Sequence, residues 1–130
     1  MFEVTITQTF SAAHRLKESG GTCEKLHGHN FTVEVSISSP ALNDAGMVID
    51  FKIVKEWTGE ILKELDHRYL NELSYFNSLS PSAENLARFF YERISAKTKI
   101  HNLGVTRVTV WESEETRASY SETFAPFEKI

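Results

Sequence analysis

Five histidines punctuate this 130-residue chain: His14, His27, His29, His67 and His101. Three of them extend the apolar faces of alternating segments. Phe2, Val4, Ile6, Phe10 and Ala12 share one face of the first segment, with Gln8 as its interruption. Glu3, Thr5, Thr7 and Thr9 share the other face. Such period-two alternation with β-branched residues predicts a half-buried strand, and His14 continues its apolar side. In the second segment Phe31, Val33, Val35 and Ile37 alternate with Thr32, Glu34, Ser36 and Ser38, and His27 and His29 continue the apolar side. Pairing the two strands with apolar faces together puts all three imidazoles on one side of the sheet. His27 and His29 are then about 7 Å apart along the strand, suitable for two ligands of one ion. Three neutral imidazoles match a catalytic zinc site that keeps a fourth position open. The plainer alternative is a set of core or turn histidines with satisfied hydrogen bonds.

Three other positions could join this chemistry. Cys23 lies four residues before His27. It can be a small buried apolar residue, a fourth zinc ligand closing a structural site, or a thiol whose pKa the metal lowers for acid–base or nucleophilic work. The spacing does not choose among them. Asp66 precedes His67, and a carboxylate beside an imidazole can orient it and hold its proton. A favourable histidine at a helix end is the competing reading. Glu112 falls on the face of Val108 and Val110. An inward carboxylate there suits a ligand presenting adjacent N–H donors, as a guanidine-like edge does. Glu114 and Glu115 read as solvated, and His101 is given no role.

The elements that must position these groups follow from pattern and punctuation. The loop after the first strand carries Gly20-Gly21, and the loop from Ser39 to Gly46 carries Pro40, Asn43 and Asp44. Phe51, Val54, Thr58, Ile61, Leu62 and Leu65 recur at helical spacing behind Asp50, a capping residue. A second helix is expected to start near Ser80-Pro81, a cap followed by proline at the first turn, burying Ala83, Leu86, Ala87, Phe90 and Ile94. Gly104 marks a terminator or turn. Strands are expected over Val105–Glu112 and Arg117–Phe124. The order β-β-α-α-β-β predicts an α+β fold: a four-stranded antiparallel sheet with two helices on one face. Its two exposed edges are a pairing liability that joining sheets across subunits would remove, so a symmetric oligomer is expected.

Composition narrows the function classes. The chain has 41% hydrophobic and 25% charged residues, ordinary for one globular domain spanning 1–130. A net charge of −4 argues against nucleic acid as a partner. No apolar run approaches the roughly 18 residues of a membrane span, and no export signal is visible. One cysteine excludes an intrachain disulfide and fits a reducing, cytoplasmic setting.

The motifs in order resemble a known family. Thr9-Phe10-Ser11-Ala12-Ala13-His14-Arg15-Leu16 is similar to its first metal motif, and Cys23-Glu24-Lys25-Leu26-His27-Gly28-His29-Asn30 to its second. Leu65-Asp66-His67-Arg68-Tyr69-Leu70-Asn71 and Ser80-Pro81-Ser82-Ala83-Glu84-Asn85-Leu86-Ala87 are similar to two more. The family is that of the 6-pyruvoyl- and 6-carboxy-tetrahydropterin synthases, and the resemblance spans nearly the whole chain. It implies the tunnelling fold, with sheets joined into barrels across subunits and a hexamer of two stacked trimers. It implies zinc on His14, His27 and His29, and Cys23 as general base. It also implies an Asp66–His67 proton relay lent by a neighbouring subunit, with Glu112 anchoring the pterin and Ser82 assisting. The family usually has threonine where this chain has Ser82 and a hydroxyl residue where it has Ala83.

The implied reaction converts 7,8-dihydroneopterin triphosphate to 6-carboxy-tetrahydropterin, acetaldehyde and triphosphate, a step toward the deazapurine of queuosine. Arg15, Lys17 and Lys25 are candidate triphosphate contacts. Glu24 adds a second pattern, Glu-x-x-His-Gly-His, which resembles a subgroup that forms 6-hydroxymethyl-dihydropterin for folate; carrying both Cys23 and Glu24 implies dual activity as an alternative. Pyruvoyl-forming activity is a further alternative. A zinc-stabilised binding module without catalysis, using Cys23 as fourth ligand, is the non-enzyme alternative.

Overall fold

The computed structural model describes residues 1–16 and 25–122. Cys23, Glu24, Lys17 and the Phe124 end expected for the last strand lie outside these residues.

Two long strands form the frame. β1 (Phe2–His14) and β2 (His27–Ser39) pair antiparallel along their whole length, from Phe2 opposite Ser39 to His14 opposite His27. The alternation seen in sequence is realised: Ile6, Phe10, Ala12 and His14 are buried on β1, and Phe31, Val33, Val35 and Ile37 on β2. Phe2, at the strand's start, is exposed. Asp50 caps α1 (Phe51–Leu65), its Oδ1 accepting from the Lys52 N–H at 2.9 Å. Such a cap is worth about 1 kcal/mol. Val54, Thr58, Ile61 and Leu65 form the buried stripe of α1, whereas Phe51 points to solvent.

α2 (Ala83–Thr98) buries Ala83, Leu86, Ala87, Phe90 and Ile94 as expected, together with Phe89 and Tyr91. Its cap is Ser82 rather than Ser80, because Ser82 Oγ reaches the Asn85 N–H at 3.2 Å. Pro81 therefore stands before the helix and not in its first turn. A 3₁₀ turn over Lys99–His101 follows, and Asn102 ends it in the left-handed conformation at φ 55°. Asparagine tolerates that conformation through its short polar side chain. Gly104 instead opens β4 (Gly104–Trp111), which runs to β5 (Arg117–Tyr120).

The helices pack on one face of the sheet, as the β-β-α-α-β-β order requires. The sheet itself corrects the four-stranded antiparallel expectation. It has five strands, because β3 (Arg68–Tyr69) joins the edge of β1 in parallel, giving the order β3-β1-β2-β4-β5. Two residues are too short for a period-two signal, which is why the pattern did not reveal β3. β4 carries a bulge at Thr106, since Ser36 pairs with Arg107 and Ile37 with Val105. Among the described residues, β3 covers the outer edge of β1 only at Ala12 and Ala13, and β5 lies at the opposite edge with β4 as its neighbour.

Candidate metal centre

The last pair of the β1–β2 ladder, His14 opposite His27, sets two imidazoles side by side with their planes at 71°, and His29 adds the third from the same side of β2. Ring centroids lie 4.7 Å apart for His14 and His27, 5.1 Å for His14 and His29, and 4.6 Å for His27 and His29. Phe31 is fully buried beneath them, 5.4 Å from the His14 ring and 5.5 Å from the His29 ring, and it stacks on Phe10 at 5.0 Å. This aromatic floor leaves the imidazoles few rotamers.

The tautomers follow from the outer hydrogen bonds. His14 Nδ1 donates to the Pro81 carbonyl at 2.8 Å, and His27 Nδ1 donates to the Lys25 carbonyl at 2.9 Å. When both rings are neutral, each turns an Nε2 lone pair inward; these two nitrogens stand 3.1 Å apart. Two lone pairs at that distance repel unless a cation lies between them. Nitrogens bound to one tetrahedral zinc at about 2.0–2.1 Å stand about 3.4 Å apart, close to what is observed. Carbonyl-held Nδ1 atoms of this kind fix ring orientation and raise ligand basicity.

Glu112, just past the end of β4, brings a carboxylate to the same place, with Oε1 3.1 Å from His29 Nε2. One ligand atom from each of His14, His27, His29 and Glu112 falls within 4.8 Å of the others, so the donor set fits a divalent cation. Glu112 also lines a cavity of about 600 Å³ with Asn30, Thr32, Trp111, Ser113 and Glu114. The alternation of Val108 and Val110 put Glu112 on the correct face. Its reach to His29 depends on the β2–β4 register, which no local pattern carries.

Asp66 and His67 form a separate corner, outside this group of four. Asp66 ends α1, its N–H donating to the Leu62 carbonyl at 2.8 Å. Asp66 Oδ1 accepts from the Ser11 N–H at 2.9 Å, and Oδ2 stands 3.1 Å from His67 Nδ1. The Ser11 N–H, chiefly, and His67 hold the Asp66 carboxyl below its usual range, against a smaller opposing effect of burial. His67 adopts φ 58° and donates its N–H to the Ser11 carbonyl at 2.6 Å. Its side chain is 82% exposed. His67 and His29 both line a shallow surface depression over β1 and β2 whose other walls include Ser11, Ala13, Gly28 and Asn30.

The remaining candidates are more dispersed. Ser82 is spent as an acceptor in the α2 cap, with its O–H still able to donate. Arg15 lines a smaller cavity of about 290 Å³ with Asn71, Asn77, Ser78 and Ser80, and Lys25 is exposed while its carbonyl holds His27. The carbonyls of Pro81 and Lys25 and the backbone of Ser11 were not legible as site groups, because main-chain contacts leave no residue-type signature.

A comparison with protein-family models matches residues 3–123 to 6-pyruvoyl tetrahydropterin synthase. A 6-carboxy-5,6,7,8-tetrahydropterin synthase of Synechocystis sp. is 33% identical, covering 91% of this chain and 89% of the relative. The dihydroneopterin monophosphate aldolase of Pyrococcus furiosus is 36% identical, covering 82% of this chain and 86% of the relative. Among solved structures, 6-pyruvoyl tetrahydropterin synthase of Caenorhabditis elegans superposes with a TM-score of 0.81 at 26% identity, covering 94% of this chain and 96% of that one. The sheet with its one-sided helices is thus the tunnelling fold, and the motif order, the match over most of the length and the superposition converge: the chain belongs to the 6-pyruvoyl tetrahydropterin synthase family.

Proposed function

We propose that this protein is a zinc-dependent lyase converting 7,8-dihydroneopterin 3'-triphosphate to 6-carboxy-5,6,7,8-tetrahydropterin, acetaldehyde and triphosphate, on the route to queuosine. The observation that carries the reading is the convergence of the His14, His27 and His29 nitrogens beside a cavity lined by Glu112. Zinc held by the three histidines would supply Lewis-acid polarisation of the substrate's side-chain hydroxyls, acidifying the adjacent C–H and O–H groups.

The chain's own residues divide the remaining work. The Glu112 carboxylate accepts from the 2-amino and N3 positions of the pterin, fixing the ring in the cavity. Cys23 is the general base at the substrate side chain. Asp66 holds the Nδ1 proton of His67, which leaves His67 Nε2 to exchange a proton with the substrate. Ser82 offers its O–H near the start of α2. An acid–base pair with an imidazole 82% exposed has little power over a proton until another surface excludes water from it. That supports a relay lent to the site of a neighbouring copy, within the hexamer of two stacked trimers with joined sheets that the family resemblance implies. A lone cysteine used as a base also suits a reducing cytoplasm.

A second reading rests on Glu24 and on the relative named dihydroneopterin monophosphate aldolase: formation of 6-hydroxymethyl-7,8-dihydropterin with Glu24 as the base. A pyruvoyl product is the third, supported by the structural neighbour's name. One assay separates them. Zinc-loaded protein is incubated with 7,8-dihydroneopterin triphosphate, the pterin is identified by mass and acetaldehyde is measured, with Cys23→Ala and Glu24→Gln alongside. Carboxy-pterin with acetaldehyde, lost in Cys23→Ala, is the expected result. Hydroxymethyl-pterin that survives Cys23→Ala and fails in Glu24→Gln would move the chemistry to Glu24. No turnover, with sulfur in the zinc shell by X-ray absorption, would leave a structural zinc module.

A further inference from the structure

Backbone groups of alternate residues on a strand face the same neighbour. Ser11, Ala13 and Arg15 therefore present N–H and C=O toward residues 66–71, while Ala12 and His14 face β2. Each of the three is tied. Ser11 is held by the Asp66 carboxylate and the His67 N–H, at 2.9 and 2.6 Å. Ala13 lies in the short parallel ladder, opposite Tyr69. β3 ends there, and a side chain takes over. Asn71 Oδ1 accepts from the Arg15 N–H at 2.9 Å, and Asn71 Nδ2 donates to the Arg15 carbonyl at 2.9 Å. One carboxamide thus replaces the peptide groups of a missing strand residue.

His14 sits between the last ladder position and this clamp. Its ring is further held by the Pro81 carbonyl and by the edge contact with Phe31. We propose that Asn71 is a positioning residue for the metal centre: by clamping Arg15 it holds the end of β1 so that His14 Nε2 points at the ion. The proposal rests on the metal reading above. It also ties both halves of the site to one segment, because residues 66–71 carry the Asp66–His67 pair at one end and the His14 clamp at the other.

The test uses Co²⁺ as a visible probe in the full chain, followed by Zn²⁺ competition. His14→Ala reports the centre itself. Asn71→Ala removes the clamp, and Asn71→Gln keeps donor and acceptor on an arm one methylene longer. Removing groups that orient metal ligands costs about 10–100-fold in metal affinity. The expected result is Co²⁺ affinity at least tenfold weaker in Asn71→Ala, with an altered ligand-field band, and Asn71→Gln intermediate. In the unmodified protein, coupling is reciprocal, so Zn²⁺ should slow hydrogen exchange at the Arg15 amide by a similar factor. This readout stands even where a variant fails to fold. A parent that binds no Co²⁺ overturns both readings. A parent that binds it, with parent-like affinity and band in Asn71→Ala or Arg15 exchange indifferent to Zn²⁺, overturns this one alone, whatever the melting temperature does.

Discussion

The His14–His27–His29 cluster and the Asp66–His67 corner contain the same kind of side chain in opposite physical settings. The cluster stands at the end of two thirteen-residue strands, over a buried phenylalanine, with two rings pinned by carbonyls. The corner is held by a two-residue strand and a positive-φ backbone, and its imidazole faces solvent. One region is organised within the chain. The other presents an exposed imidazole oriented by the carboxylate beside it. A cation-binding site needs several donors at fixed separations, which long paired strands deliver. A proton relay needs one oriented ring, which a helix end and a neighbouring strand can hold.

The sharpest way to break this contrast is His14→Ala. Metal content should fall far below stoichiometric, and turnover should drop by about 10³-fold or more, since Lewis-acid stabilisation is worth several kcal/mol. Elemental analysis and the product assay check both. His67→Ala should behave differently, keeping its metal while kcat falls by about 10²–10⁴-fold, the usual contribution of a general acid or base. Mixed oligomers of these two variants should regain activity, because each supplies what the other lacks. Recovery absent from correctly assembled mixtures would confine the relay to its own chain.

The smallest effect concerns pH. Because Asp66 titrates below its ordinary value in the fold, its ionised form stabilises the protein above the unfolded value of about 3.9. That contribution is lost as pH falls through the lower, folded value. The parent should therefore melt above Asp66→Asn at pH higher than about 5, with the margin closing in acid. Melting temperatures across pH 2–7 check this. A margin that persists at pH 2 would assign the difference to something other than the carboxylate's charge.

The histidine cluster was legible because its geometry extends a pattern: three imidazoles continue two alternating apolar faces, so strand period alone aims them. Glu112 was half legible, since Val108 and Val110 gave its side of β4 but not its neighbour across the sheet. β3, the Asn102 helix end and the Asn71 clamp were hidden for a common reason. Each is decided by one or two residues meeting a distant backbone, and periodicity needs several residues to register. Ser82 rather than Ser80 caps α2 because both serines flank the same proline, and only the folded turn shows which oxygen reaches the Asn85 N–H.

Among the described residues, the two edges of the sheet are unlike each other. At one side runs β1, with no strand beside it before the Ser11–Ala13 stretch held by residues 66–69; at the other is the four-residue β5. Copies that join one edge to the other do so head to tail, with a different surface on each side of the contact. Such a contact has no twofold axis, so each added copy presents the same open pair again. Growth then stops only when the accumulated rotation returns to its starting point, in a closed ring, and a contact whose rotation misses that condition makes a filament instead. The angle at a single strand–strand joint would thus set the cyclic symmetry of the whole particle.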